Sequence, residues 1–332
     1  MVTSKRNYTV GSLLMVTHVT SSAEATRHFY RDMMAMADTS AGAMSAEMQS
    51  RQRDLWGIDA GTRWSEYLYE RPSLPEVPKV RVLVMEPAGP LIRPGMEVLL
   101  EGGLSVGFAV RNRAEMEQCV ARGESLGIGT TAGITTIEFR RPDGTPYEAL
   151  ETHFKAPDDV YGLGVGRPED LPSVGPIETG RMIGGPAYSA QVVNHADADV
   201  AFYRDVLGFE VRRDVDLTSS GPAGGLGLAA GTVMRFLQIY APGSTTGYLV
   251  MLDFRDRGKP NPAAIRPPSR GVAMWTFPTD DLDAVIGSSR EHGIQVFAGP
   301  VALDCAWLGP HRAATVLTPH GFMVELVERA SR

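Results

Sequence analysis

One stretch of this chain occurs twice. Residues 28–34 read His-Phe-Tyr-Arg-Asp-Met-Met and residues 201–209 read Ala-Phe-Tyr-Arg-Asp-Val-Leu-Gly-Phe, so a Phe-Tyr-Arg-Asp core recurs 173 residues on. In its second occurrence the stretch reads as the end of a helix, a Gly turn and the start of a strand. Other landmarks follow at nearly the same spacing. Asp281 stands 169 residues after Asn112, Gly321 177 after Gly144, and Glu325 177 after Glu148. Four landmarks in one order at nearly one interval imply a duplicated domain.

Periodicity then divides each copy into two units. In the first copy, β-rich residues 11–20 lead into a helix at Ala23–Met36, where Phe29, Met33 and Met36 recur at helical spacing. Strand-like runs follow at Arg63–Tyr69 and Lys79–Met85. The second unit runs from a strand at Leu104–Val110 through a helix at Arg113–Leu126. It ends in strands Thr135–Arg140 and Tyr147–Glu151, joined by the turn Pro142-Asp143-Gly144. Residues 188–327 repeat that order. The fold class is therefore α+β, with four βαβββ modules in two tandem domains. The expected boundaries are residues 8–155 and 186–330, with the Gly- and Pro-rich residues 156–185 as a linker.

At 332 residues the chain can hold two cores, and 43% apolar with 21% charged residues suits a globular protein. A net charge of −7 without clustered Lys and Arg argues against a nucleic-acid partner. No stretch reaches the ~20 apolar residues of a membrane span, and the apolar run Leu13–Val16 is too short for a secretion signal. Cys119 and Cys305 lie far apart without metal-site spacing and read as reduced thiols, hence a cytoplasmic location. A small molecule is the default partner, and a homodimer is compatible with the sequence.

Several motifs resemble the vicinal oxygen chelate superfamily, which includes glyoxalase, extradiol dioxygenases and bleomycin resistance proteins. They are Phe202-Tyr203-Arg204-Asp205-Val206-Leu207-Gly208-Phe209, the run Thr276–Ala284, Pro142-Asp143-Gly144 with Glu148, and Pro319-His320-Gly321 with Glu325. The resemblance implies that paired modules curl their sheets into cups, with a metal held by side chains of each module's first and last strands. Counting seven residues back from the helix-opening positions gives Met15, Ser105, Tyr188 and Met274. Val84 and Met251, at a further ligand position, are apolar too. Only Glu148 and Glu325 remain as carboxylates, and one carboxylate per cup does not make a metal site. Neither a metal nor another cofactor is therefore expected. A one-residue bulge in the first strands would turn His18 and Gln191 inward.

Glu325 sits on an apolar strand. Facing an apolar cup it would suit general acid or base work, and otherwise it is an ancestral ligand now paired with an arginine. Glu148 follows the same logic. Tyr188 could donate to a carbonyl or enolate oxygen, or simply pack. Met15, Met274, Met251 and Tyr240 would line an apolar pocket for a flat ligand, with His18 and Gln191 beside it. The Gly-rich residues 219–231 and the segment Lys259–Pro268 are expected as mobile loops over the second cup. The leading expectation is a metal-independent isomerase or lyase using Glu325 and Tyr188. A drug-sequestering binding protein is the first alternative, and a divergent metal-dependent dioxygenase or glyoxalase the second.

Overall fold

In the computed structural model the described residues are 7–40, 45–141 and 143–329, so Pro142 of the Pro-Asp-Gly turn lies outside them. The twin sequence builds the same local structure both times. Helix α1 (Ala23–Arg27) runs into a wider π-type turn at His28–Met33, where Met34 N bonds Phe29 O at 2.9 Å. The helix at Asp197–Ala201 does the same, with Leu207 N bonding Phe202 O at 3.3 Å. In both copies this turn buries the Phe-Tyr pair in the main core. A π-type turn often marks a functional site; here it serves packing, twice.

All four units are βαβββ. The first comprises β1 (Met15–Thr20), α1, β2 (Ala37–Ser40), the inserted helix α2 (Ala46–Trp56), β3 (Arg63–Glu70) and β4 (Lys79–Glu86). The second has β5 (Gly102–Val110), α3 (Arg113–Ser125), β6 (Thr130–Arg140), β7 (Pro146–Lys155) and β8 (Tyr161–Gly166). In the third are β9 (Ile183–Val193), α4 (Asp197–Ala201), β10 (Glu210–Thr218), β11 (Val233–Tyr240) and β12 (Tyr248–Asp253). The fourth holds β13 (Gly271–Pro278), α5 (Leu282–Glu291), β14 (Gln295–Cys305), β15 (Gly309–Leu317) and β16 (Met323–Arg329). Ser22, Asn112 and Asp281 cap their helices by accepting from backbone N–H groups of the first turn.

The units pair across the chain rather than along it. One eight-stranded sheet, here sheet I, has the order β14-β15-β16-β13-β1-β4-β3-β2 and joins the first unit to the fourth. Sheet II, with the order β10-β11-β12-β9-β5-β8-β7-β6, joins the second to the third. The boundary expected at residues 156–185 does not divide the sheets: each sheet takes one unit from either side of it. Nor is that segment only a linker, because Tyr161–Gly166 is β8, a central strand of sheet II.

Alternate glycines disguised β8, since glycine weakens an isolated strand. In the fold they make room. A Cβ on Gly162 would lie 2.3 Å from Phe29 Cζ, and one on Gly164 3.2 Å from Met116 Sδ. Missing this strand shifted the repeat by one strand. Glu325 lies on β16, the last of its unit, whereas Glu148 lies on β7. Within the sheets, Glu325 pairs with Thr276 as Leu163 pairs with Gly107, so Leu163 and not Glu148 is its counterpart.

The two sheets turn one face each toward the main core. Trp275 Nε1 of β13 donates to Ser189 Oγ of β9 at 2.9 Å, and a Cβ on Gly103 would lie 2.1 Å from Val272 O. That approach requires glycine. The opposite faces form the cups.

Candidate functional site

The two cups differ at their centres and at their mouths. Five residues before each helix-opening position, the first strand pairs with the last. In sheet I these pairs are Thr17 with Arg81 and Thr276 with Glu325. In sheet II they are Gly107 with Leu163 and Ala190 with Val250. One centre is charged and the other apolar.

Cup I is sealed. Glu325 Oε2 accepts from Arg81 Nη2 at 2.9 Å and Thr276 Oγ1 at 2.8 Å, and its Oε1 accepts from Trp56 Nε1 at 2.9 Å. Arg81 also donates to Thr17 Oγ1 and lies 4.8 Å from the Trp56 ring centroid. Glu325 and Arg81 are 2% and 1% exposed. Trp56 comes from α2, which fills the cup. Thr315 Oγ1 donates to Leu55 O and Arg51 Nη1 to Ala302 O, both at or below 2.8 Å. Burial pushes the Glu325 carboxyl up, but Arg81 and the Trp56 and Thr276 donors outweigh it and the net shift is down. Its neighbour Glu66 goes the other way, because burial dominates over Arg81 and over the Trp307 indole, which donates at 2.9 Å.

Cup II is open. The inner strands of sheet II carry the packed apolar cluster of Leu104, Leu163, Val165, Tyr188, Ala190 and Val250. Phe139 and Phe236 approach to 5.4 Å between centroids, and Arg213 Nη2 donates to Tyr147 Oη at 3.1 Å, so the two ends of sheet II curl into contact. Between them lies a cavity of about 750 Å³, covered by residues 219–232. Of the residues proposed from sequence, only Glu148 lines it, from an exposed position.

The chemistry-bearing pair in this cavity is Glu151 and His153. Tyr147, Ala149, Glu151 and His153 alternate onto the cup face of β7, and His153 pairs in register with Leu163. His153 Nε2 lies 3.1 Å from Glu151 Oε2, and the two residues are 2% and 8% exposed. Among the described residues Nδ1 of His153 has no partner. With Glu151 ionised, Nε2 carries the proton and Nδ1 presents its lone pair. Gly225 packs on the imidazole, where a Cβ would lie 2.5 Å from Cε1, and the Tyr161 ring meets it edge-on at 5.8 Å. Strand alternation was the available signal. The expected strand ended at Glu151, two residues short of the histidine.

Residues 185–326 match the Glyoxalase/Bleomycin resistance protein/Dioxygenase superfamily. Glyoxalase I from Zea mays superposes on 97% of this chain and 93% of its own, with a TM-score of 0.57 at 13% identity. A valine-to-glutamate mutant of that enzyme covers 98% and 94%, with a TM-score of 0.59 at 14% identity. A putative dioxygenase from Bacillus subtilis subsp. subtilis str. 168 covers 97% and 86%, with a TM-score of 0.58 at 12% identity. The family match thus covers the third and fourth units, and the chain as a whole shares the fold of these proteins. No curated protein matches it, and at these identities the structural likeness is one of fold.

The metal that the superfamily implies does not fit the residues present. In cup I the Glu325 carboxylate is already satisfied by Arg81, Thr276 and Trp56, and a guanidinium there repels a cation. In cup II the equivalent positions are apolar. Among the described residues no group of three His, Cys, Asp or Glu could hold a metal ion.

With its units paired first to fourth, the chain also separates the residues expected to cooperate. Glu325 is in sheet I and Tyr188 in sheet II, so they do not share a site. Tyr188 stacks on Tyr248 at 5.0 Å, Tyr248 stacks on Tyr240 at 4.4 Å, and burial holds the Tyr188 phenol well above its ordinary range. Met15 and Met274 belong to sheet I and are fully buried. Met251 packs in the main core. His18, fully buried, contacts Tyr30 Oη at 2.8 Å and Asp158 Oδ2 at 3.2 Å. Gln191 is 1% exposed, and among the described residues neither amide atom is partnered. None of these residues, Tyr240 included, lines the cavity. The loop at Lys259–Pro268 is tied elsewhere, with Asn261 Nδ2 donating to Ile92 O and Glu101 O at 2.7 Å.

Proposed function

We propose that the chain is a metal-independent enzyme of isomerase or lyase type, working on a small organic molecule in cup II. The observation that carries the reading is His153, a buried residue of the cavity lining, held by Glu151 and with Nδ1 unpartnered among the described residues. A base so held removes a proton from carbon beside a carbonyl: the C–H bond breaks, Nδ1–H forms, and the electron pair moves to the carbonyl oxygen as an enolate. Return of the proton to another carbon completes an isomerisation. Loss of a neighbouring leaving group from the enolate completes an elimination. Glu151 stabilises the imidazolium formed between these steps.

Glu325 and Tyr188, the pair expected from sequence, take no part in this reading. One is bound by Arg81, the other packed in an aromatic stack. Two buried free thiols, both pushed up to about 11 by burial, support a reducing, cytoplasmic setting for this enzyme.

The test is solvent deuterium incorporation into a panel of α-carbonyl acids and ketones, followed by NMR. His153→Asn should lower exchange of any active compound by about 10²-fold or more, with Glu151→Gln intermediate. Undiminished exchange in both variants would sink the assignment. The apolar lining residues Leu217, Leu226, Leu228 and Met234 also suit a sequestering protein, and compounds bound tightly without His153-dependent exchange would favour that reading.

A further inference from the structure

Two arginines line cup II, Arg140 and Arg213, and the second is the one without a carboxylate partner among the described residues. It lies on β10, half-buried, with its guanidinium 4.6 Å from the Phe139 centroid and 5.9 Å from that of Tyr147. Among the described residues its hydrogen bond goes to a phenol, Tyr147 Oη. Among the described residues it makes no ion pair. The other charges lining the cavity are paired: Glu138 with Arg140 at 3.5 Å, Asp216 with Arg255 at 2.8 Å, and Glu151 with His153. Glu148 alone stands unpaired with Arg213, and it projects from an exposed position.

A guanidinium beside two rings, with one N–H on the Tyr147 hydroxyl, keeps further N–H donors in its own plane. That plane matches a carboxylate, which accepts two parallel bonds from such a fork. Phe139 and Tyr147, 5.8 Å apart and inclined by 28°, continue the flat surface. Along β7, Tyr147 and His153 are six residues apart, about 20 Å of strand. Arg213 and His153 therefore stand toward opposite ends of one cavity.

We propose that the occupant of cup II is an organic carboxylate with an unsaturated or aryl body: its carboxylate sits on Arg213, its body lies along Phe139, and its reacting carbon reaches His153. This names a substrate class for the acid–base site and rests on that reading. Arg213 fixes which end of the molecule faces the base, so it acts on binding and orientation and moves no proton.

The test uses calorimetric titration with biphenyl carboxylate and its neutral isostere, biphenyl carboxamide. The wild-type chain should take the carboxylate about tenfold more tightly or better. Arg213→Gln should abolish that preference, Arg213→Lys should keep part of it, and His153→Asn should keep all of it. Equal affinity for the two probes overturns the proposal, as does a preference that survives Arg213→Gln or an absence of binding by either probe at about 1 mM. Because the readout is binding alone, a failure of the proton-transfer reading leaves this result intact, and the reverse also holds.

Discussion

Sheet I and sheet II are built from the same four-unit plan, yet one cup is plugged and the other holds a cavity. In cup I a helix that has no counterpart in the other units, α2, brings Trp56 down onto Glu325, while Arg81 occupies the centre as a built-in cation. In cup II no helix intervenes between the equivalent strands, the centre is apolar, and a loop covers the mouth. The difference shows that a carboxylate retained at a family ligand position is weak evidence of chemistry. Glu325 keeps the position and has become part of the packing, whereas Glu151 and His153 stand two strands from the sheet II centre and belong to the lining of the cavity.

That contrast can be broken at its strongest point. Arg81→Met would leave Glu325 buried and unpaired, and chemical denaturation should show a loss of about 3–5 kcal/mol. The double variant Arg81→Met with Glu325→Leu should recover most of it, since an apolar pair of similar volume is often no less stable. Neither change should alter exchange activity per folded molecule. If the single variant lost activity at full stability, cup I would have to be counted as a reaction site.

A smaller effect sharpens cup II. Gly225→Ala places a methyl against the His153 ring, and the imidazole must tilt away from Glu151. Turnover should fall about tenfold, about 1.4 kcal/mol in barrier, while the denaturation midpoint moves little. An unchanged rate would show that the glycine loop does not position the base.

The smallest effect concerns neither cup but a junction between units. His320, in the turn before β16, contacts Asp199 Oδ2 and Asn194 O, with Glu101 Oε1 at 3.7 Å. The hydrogen bond to Asp199 raises its pKa to about 9 against the cost of burial, with Glu101 and Asn194 adding to the rise. A raised folded value means that this stabilisation is complete below the unfolded pKa near 6.5 and disappears as pH climbs through about 9. Denaturant midpoints should decline across that interval by on the order of 1 kcal/mol, allowing for partial exposure, and His320→Gln should flatten the decline.

Much of the fold was legible because it is local. The twin Phe-Tyr-Arg-Asp turn and the caps Ser22, Asn112 and Asp281 are fixed by neighbours in sequence, and they located four units. Two things were not legible. The glycine alternation of β8 serves contacts with Phe29 and Met116, which lie far away in sequence, so the strand imitated a linker. Which first strands join edge to edge, β1 with β13 and β5 with β9, is likewise a long-range choice that no window of residues encodes. Assigning the cups to the wrong unit pairs placed Tyr188 with Glu325 and left Glu151 and His153 at an expected domain edge.

The pairing of units is nested, like one pair of brackets inside another. Sheet II closes between residues 102 and 253, and sheet I must wait for β16, ending at residue 329, before β1 gains the rest of its neighbours. During synthesis the whole of cup II has emerged while the first unit still lacks its partner. The half that holds the open cavity is therefore assembled first, and the sealed half closes around it as the last strands arrive.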